Sequence, residues 1–230
     1  MPRENQYGQP IGDPLQGDFP RPRPPRAPMH GRSCTLVPLS PEHAEDLFAA
    51  YAQAPDDRDW TYLPLDKFAS VEEARTWLES AAKSEDPLYF TVLDPQGRAV
   101  GSASFLRIDP AGGVIEVGFI NFSPLMQRTV MSSEAMFLMM ARAFDDLGYR
   151  RYEWKCDALN APSMRAAKRL GFTYEGTFRQ ATHYKGRNRD TAWFSILDAE
   201  WPALKARFER WLAAENFDAE GRQKRALEQV

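Results

Sequence analysis

The sequence has few cysteines and no long apolar run. Cys34 and Cys156 are the only two cysteines among 230 residues, and their spacing fits neither a disulfide framework nor a zinc site. No segment reaches the roughly 18 to 20 consecutive apolar residues that cross a bilayer, and the N-terminus has no apolar stretch typical of a secretion signal. We therefore expect a cytoplasmic protein without a bound metal.

The sequence also has no large excess of charge of either sign. Its formal net charge is −3, from 29 lysines and arginines against 32 aspartates and glutamates. This balance argues against a nucleic acid or an anionic membrane as the general partner. A content of 43% hydrophobic and 27% charged residues is typical of a soluble protein with one sizeable core, so we expect one main domain.

Proline is concentrated before residue 29. Eight of the eighteen prolines lie between Pro2 and Pro28, and "RPRPPRAP" leaves few backbone donors for a helix or a sheet. Residues 1–28 are therefore predicted to be a flexible Pro/Arg-rich extension. It either stays solvated, lies along the domain, or docks on a partner or RNA. The domain itself is expected over residues 29–198, followed by a C-terminal helix and tail over residues 199–230.

Helical and strand-like patterns alternate along the domain. A strand from Ser33 is followed by two helices, which begin at Pro41 and near Val71. Three β-rich runs within residues 88–122 are separated by turn signals, which is typical of an antiparallel meander. A helix and another strand follow the third run, and a helix between two strands of one sheet indicates that they run parallel.

A second helix and a hairpin complete the pattern. The helix follows Asn160 and ends at Gly171, and a last amphipathic helix spans about residues 199–214. The order is β-α-α-β-β-β-α-β-α-β-β plus a C-terminal helix. It predicts an α+β fold in which helices flank a central mixed, mostly antiparallel, twisted sheet of about seven strands.

The segment "LMQRTVMSSEAMFLMMARAF", residues 125–144, begins polar and continues apolar. The first N–H groups of a helix have no internal partner, and the helix dipole places about half a positive charge there. Such an end attracts phosphate. Its hydroxyl side chains could instead simply cap a core helix.

Four blocks of sequence between Gly113 and Leu197 are similar to one family. They are "IEVGFINFSP", "QRTVMSSEAM", "LGYRRYEWKCDALNAPSMRAAKRLGF" and "YEGTFR". In this order and spacing they resemble the GNAT acyltransferase superfamily, and specifically its RimJ/RimL-like branch, which acetylates protein N-terminal amines. The resemblance implies an acetyl-CoA-dependent N-acetyltransferase with a primary amine as acceptor, and it allows a homodimer. An impaired acyl-CoA sensor and an RNA- or ribosome-associated adaptor are the alternatives.

The resemblance also implies where coenzyme A would bind. The family turn Gln/Arg-x-x-Gly-x-Gly/Ala reads here as residues 127–132, with Val130 where glycine is usual and Ser132 where glycine or alanine is usual. Either the amides still point outward from right-handed geometry, or the site is impaired. The candidate cofactor-binding residues are Phe119, Ile120, Gln127, Arg128, Thr129, Val130, Met131, Ser132, Ser133 and Asn160.

Two side chains are candidate catalytic residues by the same resemblance. Glu116 is the predicted general base, acting through water, although a glutamate on a strand can also be paired across the sheet. Ser163 is the predicted acid for the leaving thiolate, because Ala167 stands where many relatives have a tyrosine. Alternatively, Asn160 caps a helix and Ser163 serves that helix only. A backbone N–H near Phe119 is expected to stabilise the oxyanion.

Overall fold

An eight-stranded mixed sheet runs through the computed structural model, which describes residues 3–230. Two short strands, β1 (Arg3–Glu4) and β2 (Pro10–Ile11), lie outside this sheet. The sheet consists of β3 (Met29–His30), β4 (Thr35–Pro38), β5 (Leu88–Leu93), β6 (Ala99–Asp109), β7 (Val114–Phe122), β8 (Arg151–Asp157), β9 (Thr173–Tyr184) and β10 (Arg187–Leu197). The helices are α1 (Ala44–Ala52), α2 (Val71–Ala81), α3 (Val130–Ala141), α4 (Ala161–Arg169) and α5 (Trp201–Leu212). This is the predicted α+β order.

The sheet order is β3-β4-β5-β6-β7-β8-β10-β9, and only β7 and β8 run parallel. The helix α3 makes the crossover between these two strands, as a parallel pair requires. The seven predicted strands correspond to β4 through β10. The short β3 extends the sheet at one edge, and β1 pairs with β2 in a separate hairpin.

Helices cover both faces of the sheet. Along β5, Phe90 belongs to the core under α3 and α5, whereas the neighbouring Tyr89 belongs to the core under α1 and α2. This alternation is the pleat of a strand buried on both sides. The apolar half of α3 is explained by the same layering, because it packs between the sheet and α5, where Phe137 stacks on Phe208 with ring centroids 5.3 Å apart.

The Pro/Arg-rich extension lies along the domain in its described part. The Arg21 N–H donates to Pro110 O at 2.8 Å, and the side chains of Arg23 and Arg26 donate to two carbonyl oxygens just before β5. Pro24 is buried. Residues 1 and 2 of the predicted extension lie outside the described residues. Within residues 3–230, no helix is both long and apolar enough to span a membrane.

Candidate active site

The parallel strands β7 and β8 separate partway along their length. They pair from Val114 with Arg151 to Val117 with Trp154, and beyond that point β7 pairs only with β6 while β8 pairs only with β10. The later residues of both strands therefore border a gap, in which one side of each backbone has no partner strand. A gap of this kind can receive an extended chain of substrate.

A bulge at Phe119 fixes where β7 leaves its partner. Phe119 has a φ of +46°, which is uncommon for a residue other than glycine, and the pairing with β6 shifts between Ser102 and Ser104. The side chain of Phe119 packs against Tyr89, and that of Ile120 packs on the opposite core. Both predicted cofactor residues thus present backbone, rather than side chain, to the gap.

The start of α3 presents three backbone donors. Thr129 is the N-cap residue, with extended backbone, and its side chain makes no capping hydrogen bond. In the part of the chain that the structure describes, the N–H groups of Val130, Met131 and Ser132 have no hydrogen-bond partner. Arg128 takes the left-handed conformation of the turn, with a φ of +60°, and Val130 is helical. The valine therefore fits without positive φ.

The polar side chains of this turn are already bound within the protein. Gln127 Nε2 donates to Phe122 O at 2.7 Å, and the hydroxyls of Thr129 and Ser132 donate to backbone carbonyls at 2.7 and 2.9 Å. Ser133 is buried and accepts a hydrogen bond from Arg169 Nη2 at 2.9 Å. These side chains shape the turn, so the backbone amides and the exposed Arg128 guanidinium are the groups left to bind an anion.

A cavity of about 350 Å³ opens beside this helix start. Thr129, Val130 and Met131 form one wall, and Arg32 and Phe217 form another. The Arg32 guanidinium lies 4.4 Å from the centre of the Phe217 ring. Amide donors with a cation and an aromatic ring suit a nucleotide diphosphate, so the residues present fit coenzyme A. No sequence motif indicated Arg32 or Phe217, because they come together from opposite ends of the chain.

Glu116 lies in a buried network of charges. By its register with β5, β6 and β8, it is on the sheet face that carries α1 and α2, which we call the acceptor face. Its Oε1 lies 2.7 Å from Arg107 Nη1 and its Oε2 lies 2.9 Å from Lys155 Nζ. Burial raises the pKa of the Glu116 carboxyl, and the Lys155 and Arg107 cations offset part of that rise. The side chain is only 2% exposed.

Asn160 and Ser163 lie at the start of α4, beside the end of β8. Asn160 Oδ1 accepts from the Ser163 N–H at 3.1 Å, which is a helix cap. The Ser163 hydroxyl accepts from Trp154 Nε1 at 3.0 Å. A hydroxyl that accepts from an indole keeps its own proton to donate. The local role and the predicted chemical role are therefore compatible. Burial raises the pKa of the neighbouring Cys156 thiol, as expected for an inert cysteine.

The tip of the β9–β10 hairpin closes over the acceptor face. Lys185 Nζ donates to Trp60 O and Leu65 O at 2.9 and 3.0 Å, and Arg187 donates to Thr61 O at 2.7 Å. The Tyr62 hydroxyl donates to Leu159 O, just after β8, at 3.0 Å. Residues 58–66 and the hairpin tip together form a wall in front of the gap, which we call the clamp.

A carboxylate that the sequence did not indicate lies behind the clamp. Asp157 is the last residue of β8 and is 5% exposed. Its Oδ2 accepts from the Tyr184 hydroxyl at 2.8 Å, and its Oδ1 accepts from the Leu159 N–H at 2.8 Å. Its place directly after "YEWKC" is the only local signal for Asp157, since its tyrosine partner is 27 residues away.

Comparison with known proteins gives a consistent family. A model described as an acetyltransferase (GNAT) domain matches residues 34–173. The crystal structure of a GCN5-related N-acetyltransferase from Brucella melitensis is 50% identical, covers 93% of this chain and 98% of that chain, and superposes with a TM-score of 0.90. A probable acetyltransferase of the GNAT family from Chromobacterium violaceum is 40% identical over 84% of this chain and 98% of that chain, with a TM-score of 0.77.

A curated relative agrees at lower identity. The protein named uncharacterized N-acetyltransferase p20, from Bacillus licheniformis, is 25% identical over 144 residues, which are 61% of this chain and 80% of the relative. The region that the family model matches, residues 34–173, contains the gap, the start of α3 and the start of α4.

Proposed function

Because the chain belongs to the GNAT acetyltransferase family, we propose that it transfers the acetyl group of acetyl-CoA to a primary amine, with a protein or peptide N-terminal α-amine as the favoured acceptor. One observation supports this proposal above the others. The unpaired amides of Val130, Met131 and Ser132 lie at the end of the strand that borders the gap. Diphosphate binding there would direct the thioester arm toward the separated strands.

The residues of the gap have distinct tasks in this reaction. Acetyl-CoA supplies an acyl group on a good leaving group, since a thiol has a pKa of about 8.5. In the proposed reaction a backbone N–H near Phe119, on the stretch of β7 that borders the gap, stabilises the developing oxyanion. Ser163 donates its proton to the leaving thiolate, and Asn160 caps the helix that carries Ser163.

Glu116 stays a prediction as general base. Two cations contact its buried carboxylate, so a proton transfer from the amine to Glu116 runs through water. An α-amine suits such a distant base better than a lysine does. With a pKa of about 8, roughly a tenth of an α-amine is neutral at pH 7, against about four parts in ten thousand for a lysine near 10.4.

The conformation of Val130 weakens one alternative function, and the contacts of the basic residues weaken the other. Val130 is helical, so its departure from glycine does not imply an impaired coenzyme A site. Arg23 and Arg26 in the extension, and Lys185 and Arg187 in the hairpin tip, donate to carbonyls of the same chain. They do not form a free basic surface for RNA. The RimJ/RimL-like acceptor, the homodimer and the cytoplasmic location stay predictions.

Two measurements test the proposed function. Calorimetry should detect coenzyme A binding, and release of free thiol from acetyl-CoA should depend on an added amine. The acceptors are a short peptide with a free N-terminus, the same peptide with a blocked N-terminus, and a lysine with a blocked α-amine. Turnover of the first peptide only is the expected result. No heat with coenzyme A at millimolar concentration, or no turnover of any free amine, would contradict the proposal.

A further inference from the structure

The acceptor face carries another buried carboxylate, Asp157, closer to the gap than Glu116. Glu116 pairs with Glu153 in the part where β7 and β8 are still together. Asp157 lies four residues further along β8, or about 13 Å, and Phe119 lies three residues beyond Glu116 along β7, or about 10 Å. Asp157 is thus level with the bulge that marks the gap.

The surroundings of the two carboxylates differ in charge. Glu116 contacts Arg107 and Lys155, whereas Asp157 accepts only neutral hydrogen bonds, from Leu159 N–H and the Tyr184 hydroxyl. In residues 3–230, no lysine or arginine forms an ion pair with Asp157. A buried carboxylate without a cation is costly, and an incoming ammonium group would relieve that cost. Its position at the gap therefore favours a cationic ligand.

We propose that Asp157 binds the acceptor's amino group directly and takes its proton, an inference that rests on the proposed function. The ammonium N–H proton moves to Asp157, and the freed lone pair of the nitrogen forms the C–N bond to the thioester carbonyl carbon. The C–S bond breaks, and its electron pair leaves with the sulfur as thiolate. Ser163 gives its hydroxyl proton to the thiolate and takes back the second proton of the nitrogen as the neutral amide forms, and the proton on Asp157 returns to solvent after release of the amide.

The groups around Asp157 keep their charge across the pH range of a test. Burial raises the pKa of Tyr184 to about 12, and burial also raises the pKa of the Cys156 thiol. The guanidinium groups of Arg187 and Arg189 lie 5.3 and 6.0 Å from the centre of the Tyr184 ring. Between pH 7 and 9 the acceptor α-amine is then the group whose titration matters most.

The test compares three carboxylate-to-amide variants on the free-N-terminus peptide. Asp157→Asn should lower kcat/KM about 100-fold at pH 7, as expected for loss of a general base. Asp190→Asn is the matched control, because this half-buried aspartate on the adjacent strand has a carboxylate that accepts hydrogen bonds from Gln180 N–H and Asn188. It should leave kcat/KM within about twofold. Glu116→Gln tests the water-mediated alternative.

A pH profile separates catalysis from structural damage. Without a base, the rate follows the neutral amine, whose fraction rises from about a tenth at pH 7 to about nine tenths at pH 9. The deficit of Asp157→Asn should therefore shrink about tenfold over this range, while its melting temperature and coenzyme A affinity stay those of the wild type. A misplaced backbone would lower the rate equally at both pH values.

Three outcomes would overturn the inference. The first is an Asp157→Asn rate within about twofold of the wild type, and the second is a deficit that does not change between pH 7 and 9. In the third, Glu116→Gln shows the pH-dependent deficit instead, which assigns the proton to Glu116. A wild type that acetylates none of the free amines contradicts the proposed function itself, and it is recognised without any variant.

Discussion

Replacing Val130 with proline removes one of the three free amides at the start of α3. Proline is tolerated at the first position of a helix, because the N–H at that position has no internal partner. The preceding Thr129 already has the extended backbone, with φ −106° and ψ 172°, that a residue before proline prefers. The helix itself should therefore be unaffected, and a proline ring is close to valine in size.

The loss should appear in coenzyme A affinity. A hydrogen bond from an amide to a charged phosphate contributes about 1.5–3 kcal/mol, which corresponds to a rise in Kd of roughly 10- to 150-fold. Val130→Ala is the matched control, because it shortens the same half-buried side chain but keeps the amide. Its affinity should stay within about threefold of the wild type, and both variants should melt close to the wild type.

Calorimetric titration with coenzyme A measures the difference. If Val130→Pro binds coenzyme A as tightly as Val130→Ala while both are folded, this amide does not contact the diphosphate. The reasoning that starts from unpaired backbone donors would then be wrong at its first step. A weaker affinity accompanied by a large fall in melting temperature would instead show that the turn before α3 had rearranged.

Three further predictions concern the Arg151–Glu175 ion pair, the Ser163 hydroxyl, and Gly101 on β6. Hydrogen bonding to Arg151 lowers the pKa of Glu175 to about 2. The stabilisation that the ionised Glu175 gives the folded state is therefore present above the ordinary glutamate pKa of 4.5, and it is lost as the pH falls toward 2. Urea unfolding of Glu175→Gln should show a deficit of about 1 kcal/mol at pH 7, discounted for solvent exposure, that is absent near pH 2. Ser163→Ala should lower kcat without weakening coenzyme A binding. An unchanged kcat with lower stability, caused by the unpaired Trp154 indole, would leave Ser163 with a structural role only. Gly101→Ala should destabilise the fold by about 1–3 kcal/mol in thermal unfolding, because its Cβ would lie 2.6 Å from the buried Met126 sulfur and 3.1 Å from a backbone oxygen of β7. An unchanged melting temperature would show that Met126 and β7 can shift there.

Local patterns predicted most of the fold. The alternation of apolar residues located the strands, and a serine three residues before a glutamate is typical of a helix start. The Ser70 hydroxyl accepts from the Glu73 N–H at 3.2 Å. The glutamate side chain turns to the Ala69 N–H rather than to that of Ser70, so only half of a capping box forms. The turn at Lys185 and Gly186 has positive φ at both residues, the geometry that a two-residue hairpin needs.

Contacts between distant segments could not be predicted in this way. Alternation showed that Glu116 points away from Ile115 and Val117, but its cations depend on the register of β7 with two other strands. Lys185 reaches Leu65 across 120 residues, and no local preference encodes that distance. The clamp, Arg32 beside Phe217, and the Asp157–Tyr184 pair are therefore visible only in three dimensions.

The gap itself depends on a balance between Glu116 and Phe119. Two parallel strands gain hydrogen bonds by pairing further, so something must stop β7 and β8 where they separate. The ion pair of Glu116 with Lys155 joins the strands at the last paired residues, and the bulge at Phe119, at a cost of about 1–3 kcal/mol, turns β7 away just beyond. The Lys155 cation that contacts Glu116 is thus also the one that holds the junction together. The chemistry is left to a carboxylate on the open side of that junction.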